Sequence, residues 1–117
     1  MKKISPVLDN YREIMEEGEF NLFVKDLIDS FLDDSPNQIA MLKESNISGD
    51  ATTLERTAHT LKSSSMTFGV NQFTTLVAEL EEKARQGDLR DAATLIERCE
   101  KEYSKVKKIL WQMRDEL

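Results

Sequence analysis

The chain has 117 residues, of which 39% are hydrophobic and 32% charged, as is typical of a single soluble globular domain spanning residues 1–117. The net charge of −6 argues against nucleic acid as the main partner, because binding to phosphates needs a concentrated basic surface. No apolar run approaches the roughly 20 residues of a membrane span, and the N-terminus lacks the hydrophobic core of a secretion signal. Cys99 is the only cysteine, which excludes a disulfide framework and a thiol pair for a metal. We therefore expect a cytoplasmic protein that binds neither membranes nor nucleic acid.

Two helices are predicted in the N-terminal third of the chain. Ser5 and Pro6 can cap and begin a first helix that runs to about Glu17, where Gly18 ends it. A second helix is predicted from Glu19 to about Asp33, because its apolar residues recur at spacings of three and four: Phe20, Phe23, Val24, Leu27, Ile28 and Phe31.

The Ser35-Pro36 pair predicts a new helix start, with Gln38 completing a capping box and the helix ending near Asn46. Pro36 has no amide proton to donate. We therefore expect a kink or a break between this helix and the one before it.

Glycines followed by polar residues mark the later helices. Gly49-Asp50 predicts a stop and an N-cap that opens the helix containing His59, and Gly69 ends that helix. Asn71 is predicted to cap the next helix, and Gly87-Asp88 repeats the stop and the cap.

The final helix has the most regular apolar seam of the chain. Its apolar residues alternate spacings of three and four: Leu89, Ala92, Ile96, Cys99, Tyr103, Val106, Leu110, Met113 and Leu117. A long seam of this kind is typical of antiparallel bundle packing. The sequence predicts an all-α fold, an antiparallel four-helix bundle with one or two additional short N-terminal helices, in which Cys99 is a buried, inert thiol.

The only histidine, His59, lies in the segment Thr57-Ala58-His59-Thr60-Leu61-Lys62-Ser63-Ser64-Ser65. With about 100° of rotation per residue, its side chain lies roughly 140–180° around the helix from Leu54, Leu61 and Phe68. The imidazole is therefore expected to point into water, and Lys62 to share its face one turn later.

A neutral imidazole beside a cation on a rigid helix suits the carrying of a phosphoryl group. Lys62 can offset the charge of a phosphoryl group on His59, and the small residues Ser63 and Ser64 leave room for a partner. Glu55 lies one turn before His59 and would repel the phosphoryl group, so we expect its side chain to point away. An inert surface histidine remains the alternative reading of these residues.

The segment from Ala58 to Ser65, followed by Phe68-Gly69-Val70, resembles the signature of the histidine-containing phosphotransfer (HPt) domains of phosphorelays. The family pattern is Ala-His-x-Leu-Lys-Gly-Ser with a later glycine. The resemblance implies a four-helix bundle in which His59 takes a phosphoryl group from a receiver-domain aspartate, or from a sensor histidine kinase, and passes it to another receiver. It also implies that Lys62 is the stabilising cation.

Other site residues follow only from this resemblance. Ser63 stands where the family usually has glycine, a small change that we expect to tune transfer. Glu81 falls near the polar residue that orients the histidine ring in many members, although a solvated surface glutamate is the alternative. The receiver is expected to dock on an apolar patch near His59, with Met66 and the first-helix residues Ile14 and Met15 as contacts, and Glu55 at its edge.

Two other functions compete with this hypothesis. A non-phosphorylated helical adaptor could bind a signalling partner through the same face. An enzyme is less well supported, because the chain has neither a glycine-rich loop for ATP nor a pair of histidines or cysteines for a metal. We therefore expect a monomeric carrier that needs no cofactor or metal of its own, the receiver supplying the aspartate and the metal for the chemistry.

Overall fold

The computed structural model describes residues 5–117, which form five helices and, within that range, no strand. The helices are α1 (Pro6–Arg12), α2 (Glu17–Ser48), α3 (Ala51–Met66), α4 (Asn71–Arg85) and α5 (Ala92–Asp115). The predicted all-α fold is confirmed.

Helices α2 to α5 form the bundle, and the short α1 packs against α2. Helix α3 contacts both α2 and α4, and α5 closes the bundle by contacting α4 and α2. Two hydrogen-bonded pairs show that α2 and α5 are antiparallel. Asp29 pairs with Arg114, and Ser35, which comes later in α2, pairs with Tyr103, which comes earlier in α5. None of the helices in the described range is long and apolar enough to cross a membrane.

The core lies along the bundle axis and is built from the apolar stripes that the sequence predicts. Its largest fully buried side chains come from every helix: Leu8, Phe20, Val24, Ile28, Leu42, Leu54, Leu61, Phe73, Val77, Leu80, Cys99 and Leu110. Burial raises the pKa of the Cys99 thiol to about 12. The thiol therefore stays protonated and packs as a small apolar group, as expected.

The break predicted at Pro36 is wrong, because α2 runs through this residue as one helix of 32 residues. Pro36 lies on the exposed side. Ser35 is buried beside it, donates to the Phe31 carbonyl over 2.5 Å and bonds the Tyr103 hydroxyl over 2.6 Å. The apolar stripe of α2 continues on both sides of this point, so tertiary packing outweighs the hydrogen bond that proline removes.

The first helix is shorter than predicted, and Gly18 does not end it. Helix α1 stops at Arg12, and Gly18 lies in the first turn of α2. The other three glycines adopt left-handed backbone angles, with φ of 72° at Gly49, 70° at Gly69 and 72° at Gly87. Only glycine takes such angles without strain, so these three predicted stops are confirmed.

The predicted caps are only partly correct. The Asp50 side chain accepts from the Thr53 amide at 3.0 Å and caps α3 as expected. Asn71 is instead the first residue of α4, after an N-cap at Val70. Asp88 binds Arg90 within the turn, and α5 begins at Ala92, later than predicted.

The turn between α3 and α4 is fastened to the start of α1. The Ser5 hydroxyl donates to the Thr67 carbonyl over 2.8 Å and also accepts from the Leu8 amide. A side chain added at Gly69 would come within 3.3 Å of the Ser5 Cβ atom. The N-terminal end of α1 therefore holds the connection that follows the histidine helix.

Candidate functional site around His59

Helix α3 presents His59 to the solvent. Its apolar residues Leu54, Ala58 and Leu61 are fully buried against the bundle, whereas 59% of the His59 side chain is exposed. The helical phase read from the sequence, with the imidazole directed outward, is confirmed.

Glu81 on α4 binds the imidazole. The His59 Nδ1 atom lies 2.6 Å from the Glu81 Oε2 atom, and the Glu81 side chain is only 4% exposed. Since an ionised carboxylate only accepts hydrogen bonds, the ring proton resides on Nδ1. In the neutral imidazole the other nitrogen, Nε2, then carries the lone pair. The alternative of a solvated surface glutamate is wrong.

Lys62 lies on the same face as His59, as predicted, and it binds the same carboxylate. Its Nζ atom is 2.6 Å from the Glu81 Oε1 atom, and 29% of the lysine side chain is exposed. The two oxygens of Glu81 therefore hold one residue each from α3, His59 on Oε2 and Lys62 on Oε1. This arrangement places an ammonium group next to the histidine.

Glu81 is held in its anionic form by these contacts. Burial raises the pKa of the Glu81 carboxyl group, but the hydrogen bonds and charges of Lys62 and His59 together outweigh burial and lower that pKa below its usual value. The ionised group is therefore favoured in the folded state.

We expect the contribution of Glu81 to stability to depend on pH. Because its pKa is lower in the folded than in the unfolded chain, this contribution is present above the unfolded value of 4.5 and is lost as the pH falls through the folded value. Urea unfolding of the wild type and of Glu81→Gln at neutral pH and at about pH 3 measures the effect. The stability advantage of the wild type should shrink in acid. An advantage of constant size would show that the Glu81 carboxylate is not stabilised by its partners.

Arg85 is a second cation at the site, and it is not among the residues predicted from the sequence. Its guanidinium lies 3.2 Å from the Glu81 Oε2 atom and 3.5 Å from the Glu55 Oε1 atom, and it also bonds Glu82. The sequence contains a signal for Arg85, because this residue follows Glu82 by three positions and Glu81 by four on the same helix.

A depression of about 310 Å³ lies beside the His59 ring and is lined by Thr52, Glu55, Arg56, His59, Glu81 and Arg85. Glu55 borders the same depression as the histidine, and the expectation that its carboxylate points away from the phosphoryl position stays a prediction. Its carboxylate pairs with the guanidinium of Arg85 on α4.

The serines after Lys62 differ in exposure. Ser63 is exposed, whereas Ser64 is half-buried and donates to the Thr60 carbonyl over 3.0 Å. Ser65 is fully buried and bonds the Thr74 hydroxyl on α4 over 2.7 Å. Because these side chains are small, little side-chain bulk projects from the surface of α3 after Lys62.

The residues predicted to contact a partner differ from the expectation in their position or exposure. Met66 is 55% exposed at the end of α3, and Ile14 is 81% exposed. Ile14 and Met15 lie in the connection between α1 and α2, not on the first helix. Met15 is only partly exposed, because it packs against the core.

Comparisons with known proteins agree with this architecture. The Hpt domain family model matches residues 26–109. The chain is also similar to the crystal structure of histidine-containing phosphotransfer protein B (HptB) from Pseudomonas aeruginosa PAO1. The identity is 34% and the TM-score 0.81, and the match covers 97% of this chain and 96% of the other. The comparison with curated proteins gives no match.

Proposed function

Since the chain belongs to the Hpt domain family of phosphorelay phosphocarriers, we propose that His59 is the side chain that carries the phosphoryl group. One observation supports this assignment above the others. The imidazole is exposed, and a buried carboxylate that also binds a lysine holds its Nδ1 atom at 2.6 Å. An inert surface histidine would not need a buried acidic partner from a neighbouring helix.

The transfer step uses the nitrogen that Glu81 leaves available. The Nε2 lone pair attacks the phosphorus of a receiver aspartyl phosphate, and a nitrogen–phosphorus bond forms. The phosphorus–oxygen bond to the aspartate breaks, and its electron pair leaves with the carboxylate. The Nδ1 proton stays directed at Glu81, which stabilises the positive charge that develops on the ring. Passing the group to the next receiver reverses these steps.

The neighbours of His59 have distinct roles in this proposal. Glu81 orients the ring and fixes its tautomer, because the carboxylate can only accept the Nδ1 proton. Lys62 offsets the charge of the phosphoryl oxygens. The small side chains at Ser63 and Ser64 let the receiver approach, and Ser63 in place of the usual glycine tunes the transfer. The chain itself supplies a positioned nucleophile and no autonomous catalytic activity, cofactor or metal.

Members of the family interact with receiver domains and kinases. For this chain we propose docking on the α3 surface around His59, with Met66 and Glu55 at its edges and Ile14 and Met15 as further contacts. A groove of about 210 Å³ between α2 and α3, lined in part by Thr60 and Ser64, continues this surface. Such docking needs only a single domain in monomeric form, and it involves neither nucleic acid nor a membrane. We place it in the cytoplasm, because kinases use the ATP that is present there. Family membership does not favour the alternative of a non-phosphorylated adaptor.

The proposal is tested by incubating the protein with a receiver domain that carries radiolabelled aspartyl phosphate. We expect the label to move to this chain and then to a second receiver added later. The modification should be labile in acid and stable in base, because the bond is a phosphoramidate. A label that survives acid, or no label with any receiver of the source organism, would contradict the assignment.

A further inference from the structure

The carboxylate of Glu81 is shared by three cationic or hydrogen-donating groups. Oε1 binds Lys62 at 2.6 Å, whereas Oε2 binds His59 at 2.6 Å and Arg85 at 3.2 Å. Lys62 and His59 lie on α3, and Arg85 lies one turn after Glu81 on α4. In this state the lysine ammonium is engaged by Glu81.

The proposed role of Lys62 requires this lysine to change partner. A phosphoryl group on Nε2 brings two negative charges next to the ammonium, and it competes with Glu81 for the same donor. Glu81 cannot lose its cation without cost, because its side chain is only 4% exposed and water cannot replace the contact. The release of Lys62 therefore depends on what else neutralises the carboxylate.

Arg85 is placed to do this. Its guanidinium already touches Oε2, and 52% of its side chain is exposed, so it has room to move further onto the carboxylate. The planar guanidinium has five donors and can hold both oxygens of a carboxylate at once. The same side chain binds Glu55 and Glu82, and so it also neutralises two further carboxylates on α3 and α4.

We propose that Arg85 is a positioning residue that keeps Glu81 paired while Lys62 turns from Glu81 to the phosphoryl group. This inference rests on the function proposed above and adds an exchange of ion pairs to it. Arg85 acts on the phosphohistidine through Glu81 and Lys62 and does not contact the phosphoryl oxygens.

A double-mutant cycle tests the exchange. The wild type, Lys62→Ala, Arg85→Gln and the double variant are labelled with a phosphorylated receiver, separated from it, and followed for loss of label. We expect each single substitution to shorten the phosphohistidine half-life about threefold to tenfold. The double variant should decay no faster than Lys62→Ala alone, since without the lysine there is nothing for Arg85 to release. Arg85→Lys should restore part of the half-life.

The control is Arg90→Gln, because Arg90 is an exposed arginine of the turn after α4 that pairs with Asp88. It should leave the half-life unchanged, and thermal melts should show that all variants are folded. Multiplying effects in the double variant would show that Arg85 acts independently of Lys62, and they would overturn the inference. A wild-type half-life in Arg85→Gln or in Lys62→Ala would also overturn it. A wild type that never takes label would instead refute the proposed function.

Discussion

Replacing His59 by glutamine should abolish phosphoryl acceptance and leave the fold intact. The glutamine amide can still donate to Glu81, but it offers no nucleophilic nitrogen in place of Nε2. Because 59% of the histidine side chain is exposed and its helix is anchored on the opposite face, the change in stability should stay within about 0.5 kcal/mol. Label transfer from a phosphorylated receiver and a thermal melt measure the two effects.

The matched control is Lys101→Gln, a charge-removing change at an exposed lysine of α5, on a helix that contributes nothing to the site. It should accept label as the wild type does. If the His59→Gln protein still took label with an acid-labile bond, the carrier residue would have to be sought elsewhere in the chain. If the His59→Gln protein showed no cooperative thermal unfolding transition, the imidazole would be needed for the fold.

Truncating Leu61 should have the opposite pattern, with a large loss of stability and little direct effect on the chemistry. Leu61 is fully buried, two residues after His59 on the inner face of α3. Leu61→Ala removes apolar contacts and leaves a cavity, which should lower the free energy of unfolding by about 2–5 kcal/mol. That is a large share of the roughly 5–15 kcal/mol by which domains of this size are stable. Urea unfolding gives the value.

Thr60→Ala is the neighbouring control, because Thr60 is exposed and its hydroxyl only bonds the Arg56 carbonyl one turn earlier. Its unfolding midpoint should change by little. At temperatures where the Leu61→Ala protein remains folded, this leucine variant should accept label at a rate near that of the wild type. An unchanged unfolding midpoint in Leu61→Ala would contradict the buried position of this leucine.

The sequence predicts the local part of the fold well, because local backbone chemistry determines it. The left-handed angles at Gly49, Gly69 and Gly87 end helices where only glycine is unstrained. The apolar spacing gives the phase of α3, and with it the outward direction of His59. These features depend on neighbours a few residues apart.

The predictions from the sequence fail where contacts between residues far apart in the chain determine the structure. Pro36 predicts a kink or a break, and the break is wrong, because the packing of α2 on the bundle and the bond between Ser35 and Tyr103 keep the helix continuous. Glu81 looks like a surface residue in its own helix, and its burial depends on the packing of α4 against α3. Glu55 and Arg85 meet through the same contact between helices, although the spacing of Arg85 from Glu81 and Glu82 on α4 is a local signal for the arginine.

The histidine and the glutamate that binds it belong to different helices, separated by 22 positions in the chain. One residue inserted into α4 before Glu81 would turn the carboxylate by about 100° around the helix axis and shift it by about 1.5 Å. The imidazole would then face a different side chain, although the bundle could still form. Homologous carriers that keep this pair should therefore conserve the length of α4 up to the glutamate, whereas the turn before α4 can change length without rotating the carboxylate.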